Sequence, residues 1–398
     1  MKILCVNAGS SSLKFQLFEM PEERVIIGGY IEKIGSPDSF WNTKVNGQKI
    51  RGEKVINNHT EAVQVLIDEL IKHGAVESMD EIKAVGHRVL HGGEKYSDSV
   101  LIDDEVIQSI KDLTKLGPLH HPGNLAGIEA MREALPNVPM VAVYDTAFHQ
   151  TMPEENYIYP VPYEWYEKYG VRKYGFHGTS HKYITQRMQE LLGKKDINII
   201  NCHIGSGSSI CCIKEGKSID TTMGLTPLDG LMMGTRSGAI DPSIIEYVAK
   251  ESGMNVTEIT NILNKKSGLL GVSQKYADHR DIEGGMEAGE HLSILANDMY
   301  VDRVVNYIVQ YFVKLDGKVD AITFTAGLGE NAREFREAIV NKLGSLGIKI
   351  NHDLNMQYAA YCDKQEGIVS SEDSSVPVYV VPTNEELMII RDTYKFVQ

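Results

Sequence analysis

The chain has 398 residues, 42% of them hydrophobic and 24% charged, and 40 Lys and Arg against 54 Asp and Glu give it a formal net charge of −14. That balance excludes a disordered chain, and the length favours two domains at roughly 100–200 residues each. The acidic surplus argues against a nucleic-acid binder or a partner on an anionic membrane, because phosphate-rich surfaces attract basic ones. An anionic ligand would need positive charge held locally.

From the N-terminus, Ile3-Leu4-Cys5-Val6 reads as an apolar strand, Ala8-Gly9-Ser10-Ser11-Ser12 breaks it, and Lys14 to Phe18 alternates with period two. Residues 25–32 predict a third strand, and the polar, Asn/Gly-rich residues 36–57 a strand excursion. Val63, Val65, Leu66, Ile67 and Leu70 have helical spacing over 60–73. A strand over 81–90 ends in His87-Arg88 and runs into His91-Gly92-Gly93. Helices are expected at about 103–115 and after Pro122, and residues 139–146 form an apolar strand ending at Asp145. Residues 157–169, rich in Tyr and Pro with helix-poor spacing, suit an interdomain or lining segment.

After a helix over 179–192 the opening pattern returns. Residues 197–202 are apolar, His203-Ile204-Gly205-Ser206-Gly207-Ser208 forms a turn, and strands follow over 209–213 and 217–223. Asn7 to Ser12 falls on His203 to Ser208 at an offset of 196 residues (7 to 203). Two such strand–turn–strand–strand units half a chain apart predict a duplicated domain. Helices over 242–250, 256–265 and 287–315 follow, the last about 29 residues or roughly 43 Å long. A buried strand over 319–325 meets Ala326-Gly327-Leu328-Gly329-Glu330-Asn331, and a strand over 378–381 and a helix over 385–394 complete the pattern. The order predicts α/β domains, each a sheet with helices against it.

Met1-Lys2 leads into only four apolar residues before Asn7, too few for a signal-peptide core, and no apolar run approaches the roughly 18 residues of a spanning helix. Of the five cysteines, Cys5, Cys202, Cys211 and Cys212 lie in apolar strand-like runs, and no pair, Cys362 included, has C-x-x-C spacing. Buried reduced thiols and a cytoplasmic location are expected.

The two Gly/Ser turns suit phosphate cradling, since glycine lets the backbone approach and successive N–H groups and hydroxyls donate to phosphate oxygens. Alone, each is more often just a turn; neither opens onto a helix, and no P-loop pattern is present. Lys14 either meets a phosphate or is an ordinary strand-face lysine. Gly327-Leu328-Gly329-Glu330-Asn331 lies between a strand and a helix starting near Ala332, where glycines let a flat ligand lie on the backbone or simply make the turn. Basic residues adjoin Gly- or Pro-rich loops at His87-Arg88 and His91, at His120-His121-Pro122, and at Met233-Gly234-Thr235-Arg236-Ser237-Gly238. An Arg between glycines is a planar two-point donor for carboxylate or phosphate, or a surface-loop arginine. His177 and His181 are four apart without the carboxylate of a zinc motif. Asp145 and Glu385, at strand ends, either hold Mg²⁺ directly or through water, or serve as capping and first-turn acids, with Thr383 or Asn384 as the cap.

Together these stretches resemble the acetate kinases of the acetate and sugar kinase/Hsp70/actin superfamily. The resemblance covers nearly the whole chain. It rests on Val6-Asn7-Ala8-Gly9-Ser10-Ser11-Ser12-Leu13-Lys14, Gly86-His87-Arg88-Val89-Leu90-His91-Gly92-Gly93, Tyr174-Gly175-Phe176-His177-Gly178-Thr179-Ser180-His181, Met233 to Gly238, Ala326 to Asn331 and Pro382-Thr383-Asn384-Glu385-Glu386-Leu387. It implies two duplicated ribonuclease-H-like (actin-like ATPase) α/β domains with a catalytic cleft between them. Residues 1–150 would form the first, with a helix at about 385–398 packing back on it, and 151–384 the second, nucleotide-binding one. It also implies ATP + acetate ⇌ ADP + acetyl phosphate in a homodimer, with ATP/ADP and Mg²⁺, for which Mn²⁺ substitutes.

By position, Asn7 and Glu385 match the family's metal site, and Arg88, Asp145, His177 and Arg236 its catalytic set. Lys14, His203, Ile204, Gly205, Ser206, Gly207, Asp278, His279, Arg280, Gly327, Leu328, Gly329, Glu330 and Asn331 match nucleotide contacts. Arg88, Leu90, Leu119, His120, Phe176 and Pro227 match the acetate site. Ser206 stands where the family usually has Asn, which shortens a nucleotide contact. Leu90 is bulkier than the Val common there, which favours acetate over longer acids. Acetate is already ionised at neutral pH, so the reaction needs alignment and charge cancellation more than a base, and Asp145 reads as an orienter of Arg or of Mg²⁺ water. The rivals are the same chemistry on propionate or butyrate and, at greater distance, a non-enzymatic ATP clamp of the actin or Hsp70 kind.

Overall fold

The computed structural model describes every residue except Leu119 and Asp363. The described residues fall into two compact units, Met1–Gln150 with Asn384–Gln398, and Thr151–Thr383. No helix among them is long and apolar enough to cross a membrane.

The first unit is built on eight strands: β1 Lys2–Ala8, β2 Ser12–Glu19, β3 Arg24–Glu32, β4 Phe40–Val45, β5 Gln48–Glu53, β6 Ile82–Val89, β7 Val100–Leu101 and β8 Met140–Tyr144. They lie in the order β5-β4-β3-β2-β1-β6-β8-β7. The β1–β2–β3 pairings are antiparallel, whereas β6 runs parallel to β1 and β8 to β6. Alternation sends Leu4 and Val6 of β1 and Leu13, Phe15 and Leu17 of β2 into a core with Val63, Leu66 and Leu70 of helix His59–Lys72 and Met131 of helix His121–Ala134. The other face receives helix Glu385–Tyr394. A Cβ on Gly86 of β6 would lie 2.3 Å from Thr393 Oγ1 and 2.7 Å from Ile389 Cγ2, so only glycine lets that helix settle so close.

The second unit repeats the plan with β9 Ile199–Ile204, β10 Ser208–Lys214, β11 Lys217–Thr221, β12 Ala321–Thr325, β13 Gly367–Ile368 and β14 Val378–Val380, ordered β11-β10-β9-β12-β14-β13. Again the first three strands are antiparallel, the next two parallel, and a short antiparallel strand lies at the edge. With β4, β5, β7 and β13 set aside as additions at the edges, both sheets run third-second-first-fourth-fifth, so the duplicated turns at 9–11 and 205–207 occupy equivalent places. Ile200, Cys202, Ile204, Ile210 and Cys212 face the core formed with helix His291–Lys314.

Three local expectations are corrected. The long helix has 24 residues, not about 29, because Gly289 at φ +74° ends the preceding segment, helix His279–Glu287. The Tyr-rich stretch contains two short helices, Glu154–Tyr157 and Glu164–Tyr169, the second closed by Gly170 in the left-handed region. The glycine segment after β12 is not a plain turn; it is itself a helical turn, Ala326–Asn331, and the next helix is Arg333–Asn341. Of the cysteines, all but Cys362 are buried, and all are free thiols.

Candidate active site

In the first unit, the strand parity that buries Leu4 and Val6 turns Asn7 to the face carrying helix Glu385–Tyr394, opposite Lys14 in the β1–β2 register. Arg88, one residue from the end of β6, donates Nε (3.2 Å) and Nη2 (2.5 Å) to the carboxylate of Asp145, which follows β8 and is 2% exposed. Its Nη1 lies 3.5 Å from Asn7 Oδ1. Burial alone would lower the Arg88 pKa, but Asp145 and then Glu385 more than offset it and the value is raised. Glu385 opens its helix, which Asn384 caps by accepting from Leu387 N–H. Burial pushes the Glu385 carboxyl up, Arg88 pulls it back, and Asp145 and Glu386 push it up again.

Asn124 fastens this corner. It donates Nδ2 to Ala8 O (2.7 Å) and accepts from Leu90 N–H (3.1 Å), tying the ends of β1 and β6 together. Leu90 is buried, and His120 stands at the N-cap of helix His121–Ala134. Leu119 lies outside the described residues.

In the second unit the sheet has unlike faces. Alternating with the core residues, Asn201, His203 and Ser209 meet the His177, Ser180 and His181 side chains at the start of helix Gly178–Leu192, and Thr323 donates to Asn201 behind them. His177 holds φ +56°, a left-handed backbone that costs a non-glycine residue about 1–3 kcal/mol and recurs where a side chain must point one way. Its Nδ1 is 2.9 Å from Ser209 Oγ, and its ring stacks on His203 with centroids 4.1 Å apart. Arg236 reaches the same turn: a Cβ on Gly207 would lie 3.4 Å from His177 Nε2 and 3.3 Å from Arg236 Nη1. Arg236 donates only to Pro227 O (3.3 Å) and Met233 Sδ (3.6 Å), and burial lowers its pKa with no carboxylate to offset it among the described residues. A largely desolvated guanidinium without a counter-charge is a receptor for an anion. Phe176, next to His177, is 1% exposed.

A cavity of about 740 Å³ opens in this unit, of a size that suits a small organic ligand. Its wall gathers Gly205, Ser206, Asp278, His279, Arg280, Gly327, Leu328 and Asn331, eight of the residues expected at the nucleotide. His203, Ile204, Gly207, Gly329 and Glu330 are not on that wall, and Lys14 belongs to the first unit. Glu330 spends its carboxylate internally, accepting from the N–H groups of Ala326 (2.8 Å) and Thr383 (3.1 Å). Asp278 caps helix His279–Glu287 and holds the exposed Arg280 through Nε (3.0 Å) and Nη2 (2.6 Å). His279 is buried against Phe335, with Nε2 3.0 Å from Asn297 Oδ1.

Sequence reasoning missed Tyr300 and Tyr361 on the wall, and the fully buried Arg336. Arg336 Nη1 donates to Gly329 O (2.9 Å) and Glu330 O (2.8 Å) and so clamps the glycine segment from behind. The bare charge pattern offered no hint of it.

One sheet order used twice, with a half-buried arginine that meets no carboxylate among the described residues near a glycine-lined cavity, points to a class: the phosphotransferases built on a duplicated actin-like fold. Comparison with known proteins narrows that class. The sequence profile of the acetokinase family matches residues 2–391. The chain is 51% identical over 396 residues to the acetate kinase of Bacillus cytotoxicus, covering 99% of this chain and 98% of that one. It matches the crystal structure of Porphyromonas gingivalis acetate kinase with a TM-score of 0.94 at 43% identity over 100% of both chains. It matches that of a propionate kinase from Francisella tularensis with a TM-score of 0.93 at 41% identity over 99% of both. The chain belongs to the acetokinase family and is an enzyme of that phosphotransferase type.

Proposed function

We propose that the chain is an acetate kinase, catalysing ATP + acetate ⇌ ADP + acetyl phosphate by direct in-line transfer. The observation that carries this reading is Arg236, half-buried with no carboxylate to offset its desolvation among the described residues, and sharing with His177 Nε2 the space over Gly207. An acetate oxygen forms the new bond to the γ-phosphorus as the bond to the β-phosphate oxygen breaks, and ADP leaves with that electron pair. No proton has to be removed from the nucleophile, so the work lies in alignment and in cancelling charge between two anions. Arg88, oriented by Asp145, is assigned to the acetate carboxylate, and Leu90, Phe176 and Pro227 are assigned to its methyl group. Arg236 and His177 donate to the equatorial oxygens of the transferring group. Gly205, Ser206, Asp278 to Arg280 and the 327–331 segment hold the nucleotide.

The donor set fits Mg²⁺. Asn7 Oδ1 and the Glu385 carboxylate are hard oxygens, and Glu385 sits where burial and two further acids leave it short of positive charge. No group of three or more His, Cys, Asp or Glu set to hold a metal occurs among the described residues, which suits an ion that keeps waters and phosphate ligands. Bound there, Mg²⁺ or Mn²⁺ would neutralise phosphate charge. We further read the enzyme as a cytoplasmic homodimer with no nucleic-acid or membrane partner, in keeping with its acidic balance.

The test is a panel of acetate, propionate and butyrate with ATP and Mg²⁺, scored as the acyl hydroxamate. Acetate should give the highest kcat/KM. A higher value for propionate or butyrate overturns the acetate assignment within the family, and no turnover of any of the three overturns the chemistry.

A further inference from the structure

His177 is the outer end of a chain of side chains that runs four residues further into the second unit. His177 Nδ1 is 2.9 Å from Ser209 Oγ, and Ser209 Oγ is 2.8 Å from His181 Nε2. His181 Nδ1 is 2.8 Å from Asn201 Nδ2, and Asn201 Oδ1 accepts from Thr323 Oγ1 at 2.6 Å. Ser209, His181, Asn201 and Thr323 are each 0% exposed, so bulk water touches none of these four side chains. The elements supply it by register: Asn201 of β9 is paired with Thr323 of β12, and Ser209 of β10 with His203 of β9.

Each link in this chain has one consistent proton. An amide nitrogen only donates, so His181 Nδ1 is an acceptor and the single ring proton of His181 sits on Nε2. That proton goes to Ser209 Oγ, which leaves the serine hydroxyl proton for His177 Nδ1. His177 then carries its own proton on Nε2, the nitrogen that lies over Gly207 beside Arg236 Nη1. A second proton on His177 Nδ1 would make Ser209 accept twice and strand its buried hydroxyl proton, a cost of about 1–3 kcal/mol. It would also place two cations against one glycine.

We infer that Asn201, through His181 and Ser209, sets His177 as a neutral imidazole with its proton fixed on Nε2. Asn201, His181 and Ser209 are positioning residues, and His177 acts as a fixed hydrogen-bond donor and not as a base. The role given to His177 rests on the acetate kinase reading; the proton positions rest on the network alone. Reversing the one amide of Asn201 would invert every link and present a lone pair to the phosphoryl group, so the inference has a sharp alternative.

The test is a long-range ¹H–¹⁵N spectrum of the full-length enzyme labelled with ¹⁵N-histidine at neutral pH, with His177 assigned by its loss in His177→Gln. A single neutral tautomer protonated on Nε2 is expected. In Ser209→Ala the His177 ring should show mixed tautomers, with kcat down about tenfold, equivalent to about 1.4 kcal/mol, and both KM values within about twofold. Thr323→Val, which keeps the shape and removes the hydroxyl that anchors Asn201, should move both readouts the same way and keeps the question open to test if Ser209→Ala does not fold. Wild-type His177 protonated on Nδ1, or on both nitrogens, overturns the inference, as does a folded Ser209→Ala enzyme with the wild-type tautomer. A His177→Gln enzyme with undiminished kcat would instead remove the catalytic reading and leave the tautomer result standing.

Discussion

Arg88 and Arg236 carry the same charge under opposite local electrostatics. Arg88 is held by Asp145 at two points and is raised in pKa, whereas Arg236 is desolvated and paired with neutral acceptors only. A paired guanidinium presents a fixed edge to a carboxylate, and an unpaired one gains most when negative charge builds up beside it. Arg236→Ala should therefore lower kcat far more than it raises the acetate KM, and Arg88→Ala should mainly raise the acetate KM; steady-state kinetics separates the two. Gly207 offers a finer probe, since its backbone tolerates a side chain and an added methyl group would press on Arg236 Nη1 and touch the His177 ring. Gly207→Ala should keep its melting temperature while its kcat falls at least about tenfold, because the methyl group would stand 3.3–3.4 Å from the reactive ends of Arg236 and His177.

Among the elements, helix His121–Ala134 seats the first turn. A Cβ on Gly123 would lie 2.5 Å from the carbonyl of Gly9, and one on Gly127 2.4 Å from Ala8 Cβ. Glycine to alanine inside a helix ordinarily gains up to about 1 kcal/mol. At Gly123 it should instead cost about 1–3 kcal/mol in urea unfolding, because backbone must move. How far such elements were legible depended on where their information lies. Helices Val256–Lys265 and Glu385–Tyr394 announce themselves through caps, Asn255 and Asn384, and both sheets through period-two strands around Gly/Ser turns. Helix Ala326–Asn331 was hidden because glycines read as a turn, and the break at Gly289 because apolar spacing runs on across it. The residues that organise the corners, Asn124, Ser209, Asn201 and Arg336, belong to no local pattern. Their partners are 34 to 116 residues away for Asn124 and 122 for the Asn201–Thr323 pair, so only the folded chain reveals them.

For the whole molecule, charge and acid stability follow from what is buried. The His87 imidazole is 2% exposed, its Nε2 has no hydrogen-bond partner among the described residues, and burial pushes its pKa down to about 3; His121 is lowered by burial as well. Between about pH 3 and 6.5 the unfolded chain takes a proton at position 87 that the folded one refuses, so stability rises with pH across that window and is lost as pH falls below about 6.5. One such group contributes a slope of about 1.4 kcal/mol per pH unit. Urea midpoints from pH 7 to 5 should fall accordingly, and His87→Phe should flatten the curve by about one proton. The excess of 14 negative charges works against polyanionic surfaces more than it bears on a site whose cations are few and local. ATP KM should therefore change by less than about twofold between roughly 0.05 and 0.3 M salt.

Helix Glu385–Tyr394 belongs to the first unit, yet more than 230 residues of the second, Thr151–Thr383, separate it from the strands it covers. During synthesis the ribosome must therefore translate an entire further unit while one face of β1 and β6 stays bare. Glu385 and its helix are also absent until the second unit has been made, so until then the nascent first unit is open on that face. The exposed strands therefore give chaperones a long interval in which to bind before the first unit can close.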